Sequence, residues 1–414
     1  MTFKLRWRLT LMMILQYAIW GAWAAVAGKY FSNLGPAHGF TGKTIGFVFS
    51  LSPLATMFTP FMAGYLADRH VNAEKLLGIL NLIGAVMLYL VAGQVSYATI
   101  VPLMFIYALF MAPTVALSNA ITFRHIPNPT RDFGSIRVGG TIGWMAAGWI
   151  LGTWRMISIP NLQGDLFYLA SFLSLLMGLF AFTLPATLPE GKGTNPLGFL
   201  DALRMFKNRQ FVVFILIAFL ASTQLDFHYI FTSAYLGAPL KSGGMGFSDA
   251  MIPFVLSIAQ MSEVIVMLAL PFLLPRFGVR KGMTLGLISW SLRFFIFALL
   301  PYRPLVLAAL GLHGFCIVFF FVIAFMYVNE IAPTEVQASA QSLVSLFVFG
   351  AGRYAGSFLS GAVKDFFTHG PATAPITEWR LVFMVPAILT LLCAITFPLV
   401  FKDPDAKQSA LAAI

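Results

Sequence analysis

The chain has 414 residues, of which 59% are hydrophobic and only 10% charged, with 42 phenylalanines. That composition excludes an ordinary soluble domain, and long unbroken apolar runs exclude the short alternating strands of a membrane β-barrel. The net charge of +11 does not point to nucleic acid, because the basic residues fall between apolar runs, where membrane topology uses them.

In chain order, runs of about 20 apolar residues, the length that crosses a bilayer as a helix, lie at 9–31, 43–66, 75–94, 98–119, 136–154, 166–185, 211–236, 251–274, 281–300, 303–328, 336–363 and 379–401. They predict an all-α membrane protein of twelve transmembrane helices. Lys4, Arg6 and Arg8 precede the first run without a small-residue cleavage site, so that run stays as a helix. The longest polar interruption, 186–209, separates two sets of six helices. The expected organisation is residues 1–185, a cytoplasmic linker at 186–210 containing a short surface helix (LDALRMF), and 211–414. With the N-terminus inside, about 17 basic residues fall on the inner side and about 7 on the outer, which places both termini in the cytoplasm. Cys316 and Cys393 lie within apolar runs, so neither a disulfide nor a cysteine metal site is expected.

The halves look like repeats. The loops after the second and eighth spans, GYLADRHVNAEK and LPRFGVRK, are both short and basic. The fifth span carries Gly139, Gly143 and Ala147, the eleventh Gly352, Gly356 and Ser360, each a small-residue ridge that permits close helix approach. Each also holds an arginine, Arg137 or Arg353. Two six-helix bundles related in this way are the layout of major facilitator transporters, with a central site between halves.

Several residues stand out as chemistry. Glu263 sits near the middle of the eighth span, where a carboxylate needs a partner, a proton or a water-filled cavity. Gln260 lies on the same helix face. The pair can recognise a polyhydroxy solute, and the carboxyl can carry a proton; a neutral Glu263 bonded to a neighbouring helix is the alternative. Arg137, Thr141 and Trp144 form one stripe able to hydrogen-bond and stack on a base, unless Arg137 merely snorkels at the surface. In the seventh span Asp226, Tyr229 and Ser233 share one face, Gln224 and His228 another. Gln16 and Trp20 are cavity or core, while Thr114, Ser118 and Asn119 can bond between helices. Gly64, Asp68 and Arg69 resemble the cytoplasmic loop motif of major facilitators and point to gating, with a solvated turn as the alternative. The tenth span is nearly all apolar and offers packing or ring stacking. No GxSxG elbow, HExxH or phosphate loop is present, so no enzyme centre is visible and no cofactor or metal is expected.

The chain resembles the nucleoside:proton symporter family of the major facilitator superfamily, the nucleoside permeases of bacterial inner membranes. The resemblance runs nearly end to end, through LQYAIWGAW, APTVALSNAI, RDFGSIRVGGTIGW, LDALRMFKN, IAQMSEVIVMLALPFLLPRFGVRK, HGF and ASAQSLVSL. It implies proton-driven import of nucleosides by a monomer in the lipid bilayer. Gln260 and Glu263 match the ribose-binding pair of the family, and Arg137 and Thr141 its base-contacting stripe, with Trp144 where an aromatic is expected. Asp226 and Tyr229 stand where relatives have Gln and Asn. Val318 stands where the family usually has an Asp implicated in coupling, followed by Phe319, Phe320 and Phe321, the last an expected substrate contact. Arg353 is also a departure. Without that Asp, Asp226 and Glu263 become the proton-coupling candidates, since two nearby carboxylates in low dielectric do not both ionise easily. Arg353 could instead hold a carboxylate ionised and leave an uncoupled facilitator. A transporter of another polar solute (a sugar or modified nucleoside) and a non-transporting sensor on the same scaffold are the remaining alternatives.

Overall fold

The structure is a computed structural model, nearly all helical, that describes residues 2–157, 163–189, 198–333 and 336–402. Linker residues 190–197 and the side chain of Asp68 lie outside the described residues. Among the described residues, eight helical stretches are long and apolar enough to cross a bilayer. Leu268, Phe272 and Leu399 each turn more than half of their surface outward, a matched face for lipid and an aggregation surface in water. Two compact units emerge, Met1–Pro196 with Phe247–Phe254, and Leu197–Gly246 with Val255–Ile414.

The first unit contains α1 (Phe3–Trp23), α2 (Ala27–Leu34), α3 (Gly42–Arg69), α4 (Ala73–Ala92), α5 (Tyr97–Met111), α6 (Thr114–His125), α7 (Pro129–Ile157) and α8 (Asp165–Ala181). Local signals fix the starts. Thr2 accepts from Leu5 N–H at 3.3 Å, and Thr41 with Thr44 closes a capping box on α3. The run expected at 98–119 divides between α5 and α6 around Pro113, which has no N–H to continue the ladder. The helix expected from 136 starts earlier, at Pro129, so Arg137 lies about 12 Å inside it rather than at its first turn.

α1 packs on α7 and α8, and α4 on α8 and α5. The predicted ridge makes the α1–α7 contact: a Cβ on Gly143 would collide with the backbone oxygen of Ile14, and one on Gly21 with that of Trp144. Backbones this close leave no room for any other residue type. Gln16 donates to Thr114 at 2.8 Å and accepts from Asn81 at 3.4 Å, tying α1, α4 and α6. It is therefore a buried packing residue and not a cavity lining.

The second unit starts with a 3₁₀ turn at Gly198–Lys207, where the short surface helix was expected. It continues through α9 (Arg209–Thr223), α10 (Thr232–Gly237), α11 (Ile252–Leu299), α12 (Arg303–Leu310), α13 (His313–Cys316), α14 (Ile323–Ile331), α15 (Gln337–Ser345), α16 (Arg353–Phe366) and α17 (Trp379–Val400). The expected loop between the eighth and ninth spans shrinks to one break in α11 at Gly278, whose φ of 69° is open to glycine. Among the described residues, three wide π-turns interrupt the other helices, at Phe227–Phe231, Ile317–Val322 and Leu346–Gly352. Here too the small ridge makes the closest crossing: a Cβ on Gly352 would strike Ser222, and one on Gly356 the backbone of Thr223. In both units the ridge helix therefore packs on the unit's first long helix, α7 on α1 and α16 on α9.

Candidate functional site

In the first unit, Arg137, Thr141 and Trp144 run along α7 beside the ridge and are each half-buried. The Arg137 guanidinium lies over the Tyr17 ring of α1, 4.0 Å from its centroid. Gly140 makes that possible, since a Cβ there would come within 2.7 Å of both Arg137 and Tyr17. Among the described residues no carboxylate pairs with Arg137, and Thr141 and Trp144 use none of their polar atoms on the protein. The stripe is thus a cation, a hydroxyl and an indole held in position and not consumed by the fold.

At the end of α3, Arg69 is exposed and lies over its own helix's Tyr65 ring at 4.9 Å. A Cβ at Gly64 would meet nothing within 4 Å, so no packing in this structure requires glycine there.

The second unit gathers the remaining residues. Gln260 and Glu263 lie one turn apart on α11, both half-buried, and the Gln260 amide has no protein partner among the described residues. Asp226, just before the first π-turn, is fully buried, and its Oδ1 accepts from Arg353 Nη2 at 2.7 Å and Nε at 3.2 Å. Arg353 begins α16 directly after the third π-turn and also lies 5.1 Å over the Tyr229 ring. The carboxylate expected to share a proton with Glu263 is thus engaged by Arg353, a charge-assisted pair of donors on a buried anion.

Glu263 faces a different group: its Oε2 is 3.9 Å from Nε2 of His313, which begins α13. His313 Nδ1 accepts from Arg293 Nη1 at 2.8 Å, and both side chains are fully buried. The Arg293 guanidinium lies 4.9 Å over Phe294. His228 shares a hydrogen bond with Thr232 at 3.1 Å and sits 4.6 Å ring to ring from His313. Sequence reasoning left Arg293 without a role and used His313 only as part of a motif. An arginine in the middle of an apolar run was the available signal, but its partner lies across a turn that spacing cannot reveal.

The tenth span contributes packing. Val318 is fully buried within the second π-turn, and Phe321 is 3% exposed between Trp290 (5.5 Å) and Phe349 (5.3 Å). The structure makes Phe321 a wall behind the cluster rather than an open contact.

Residues 3–406 match the model of the nucleoside H+ symporter family. The chain belongs to that family. YegT of Escherichia coli K12 is 33% identical, with 98% of this chain and 95% of that protein covered. The xanthosine permease of the same organism is 31% identical over 96% and 97% of the two chains. A crystal structure of the nucleoside transporter NupG superposes with a TM-score of 0.87 at 28% identity, covering 96% of this chain and 100% of that one. A bacterial homologue of the lysosomal transporter Spinster shares the fold, with a TM-score of 0.73 at 13% identity. This member of the nucleoside H+ symporter family therefore has the helical major facilitator fold. It is a multi-pass membrane transporter that imports nucleosides with protons, and it is not an enzyme.

Proposed function

We propose that Gln260 and Glu263 bind the ribose hydroxyls of the nucleoside and that Arg137, Thr141 and Trp144 bind its base. The observation that carries this reading is what the fold leaves unused. Gln16 is used at both ends, donating to Thr114 and accepting from Asn81, whereas the side-chain polar atoms of Gln260, Thr141 and Trp144 have no partner among the described residues. An amide beside a carboxylate suits a diol, and an indole beside a guanidinium suits a planar heterocycle carrying carbonyl acceptors. Tyr229 and the Asp226–Arg353 pair border the ribose side, with Phe321 behind them. Gly64, Asp68 and Arg69 act in gating. The transporter works as a monomer in a bacterial inner membrane, with both termini cytoplasmic, as the charge bias favours.

The proton is assigned to Glu263. Asp226 is fully buried and takes two guanidinium hydrogen bonds, whereas 28% of the Glu263 side chain is exposed. A group that must exchange protons in every cycle needs that access. The test is uptake of labelled uridine and adenosine into proteoliposomes, with and without an imposed pH gradient. Wild type and Asp226→Asn should both respond to the gradient, and Glu263→Gln should not. A gradient response that survives in Glu263→Gln and disappears in Asp226→Asn would reverse the assignment.

A further inference from the structure

We propose that His313 and Arg293 form a buried positioning relay for Glu263, with Arg293 setting the tautomer of His313 and His313 presenting a single N–H to the carboxylate. The inference rests on Glu263 being the proton-carrying ribose ligand. A guanidinium has donors only. The 2.8 Å contact from Arg293 Nη1 therefore obliges His313 Nδ1 to accept, and the proton of the neutral ring resides on Nε2. Among the described residues that nitrogen has no hydrogen-bond partner, and Glu263 Oε2 lies 3.9 Å from it. This is too long for a hydrogen bond and short enough for a side-chain adjustment to close.

The backbone keeps the two aligned. Ser262, the neighbour of Glu263, donates its hydroxyl to the Gly311 carbonyl and accepts from Gly314 N–H at 3.3 Å. A Cβ at Gly314 would collide with the Ser262 backbone. The segment that presents His313 is thus clamped to the turn of α11 that presents Glu263. The other charged and titratable groups around His313 do not take over its function: Arg353 is committed to Asp226, His228 to Thr232, and Tyr229 lies edge-on at 6.2 Å. Arg293 has no carboxylate of its own among the described residues. Its charge therefore acts on Glu263 through the imidazole. The ionised carboxylate attracts the N–H and the cation behind it; the protonated carboxyl gives that attraction up. Proton loading and the geometry of the ribose ligand are in this way one event.

The experiment uses the full chain in proteoliposomes. Uridine uptake is followed against internal and external pH for wild type, His313→Gln, His313→Leu and Arg293→Met, with thermal unfolding in detergent as a check on folding. Gln can still present an N–H where Nε2 stood, and Leu cannot. Without the relay the carboxylate loses its support, holds its proton to higher pH, and the midpoint of the pH–uptake profile moves alkaline by about one unit or more. Expected are that shift in His313→Leu and Arg293→Met, and a profile within a few tenths of a unit of wild type in His313→Gln. A wild-type midpoint in folded His313→Leu overturns the relay, as does an equal shift in His313→Gln and His313→Leu. Should Arg293→Met fail to fold, the two His313 variants decide alone. Glu263→Gln separates the layers: if it keeps the wild-type profile, the proton assignment itself has failed; if it abolishes the profile while His313→Leu keeps the wild-type midpoint, only the relay has.

Discussion

The two units solve one packing problem in the same way and one charge problem in opposite ways. In each, a helix carrying a small-residue ridge lies backbone to backbone on the first long helix, Gly143 on Ile14 and Gly356 on Thr223. In each, an arginine on the ridge helix reaches over a tyrosine of the helix it crosses or of that helix's continuation, Arg137 over Tyr17 and Arg353 over Tyr229. Of the two, only Arg353 also pairs with a buried carboxylate among the described residues, Asp226. The ridge is shared because close helix approach tolerates little variation, whereas one acidic residue more or less decides whether the cation is neutralised inside the protein or kept for a solute. Arg353 is therefore spent on Asp226 within its unit, and under the proposed function Arg137 is the one left for the nucleoside.

The largest test of that contrast removes the arginines. Arg353→Met should destabilise by about 3–5 kcal/mol, because a buried carboxylate is left unpaired, and the double variant with Asp226→Asn should recover most of the loss. Arg137→Met removes only an aromatic contact and should cost less than about 1 kcal/mol while weakening nucleoside binding. Thermal unfolding in detergent with a calorimetric titration separates the two effects, and equal destabilisation by both arginine variants would remove the contrast.

Next come the ridges. Gly143→Ala and Gly356→Ala should each destabilise by about 1–3 kcal/mol through overpacking, whereas Gly64→Ala, where a Cβ meets nothing within 4 Å, should leave stability unchanged. Of similar size but visible in affinity, Gln260→Ala and Glu263→Gln should weaken nucleoside binding roughly tenfold to a hundredfold, the 1–3 kcal/mol of one lost buried partner. Unchanged affinity in either variant takes that residue out of the site. The smallest expected change is Trp144→Ala: a loss of about 0.5–1.5 kcal/mol, alike for purine and pyrimidine nucleosides, since stacking reads ring area. A loss confined to one base class would mean that the indole N–H reads an edge instead.

The apolar runs and small ridges were legible because the bilayer imposes helix length and close packing imposes glycine. Helix breaks were less so. Pro113 announces the α5–α6 break, but nothing in FHYIF, IVFFFV or LFVFGAG distinguishes a π-turn from ordinary helix, because a wide turn depends on the neighbours that accommodate it. The same holds for the site. Gln260 with Glu263, and Arg137 with Thr141, follow from helix periodicity. The Asp226–Arg353 pair spans 127 residues and the Arg293–His313 contact crosses a helix turn, and no periodicity carries information over such gaps. For Phe321 periodicity is silent too: its packing against Trp290 and Phe349, which leaves it almost fully covered, comes from other helices.

A π-turn is, in effect, one amino acid inserted into a helix that declined to lengthen. All three found among the described residues fall in the second unit, and they touch the residues that set it apart: Asp226 precedes one, Val318 lies in another, and Arg353 follows the third. One added residue rotates everything beyond it by about 100° around the helix axis. A lineage can therefore turn a fresh set of side chains inward without altering a loop or a membrane span. Single-residue deletions within 317–322 or 346–352 would undo that rotation while leaving the loops at either end of the helix unchanged.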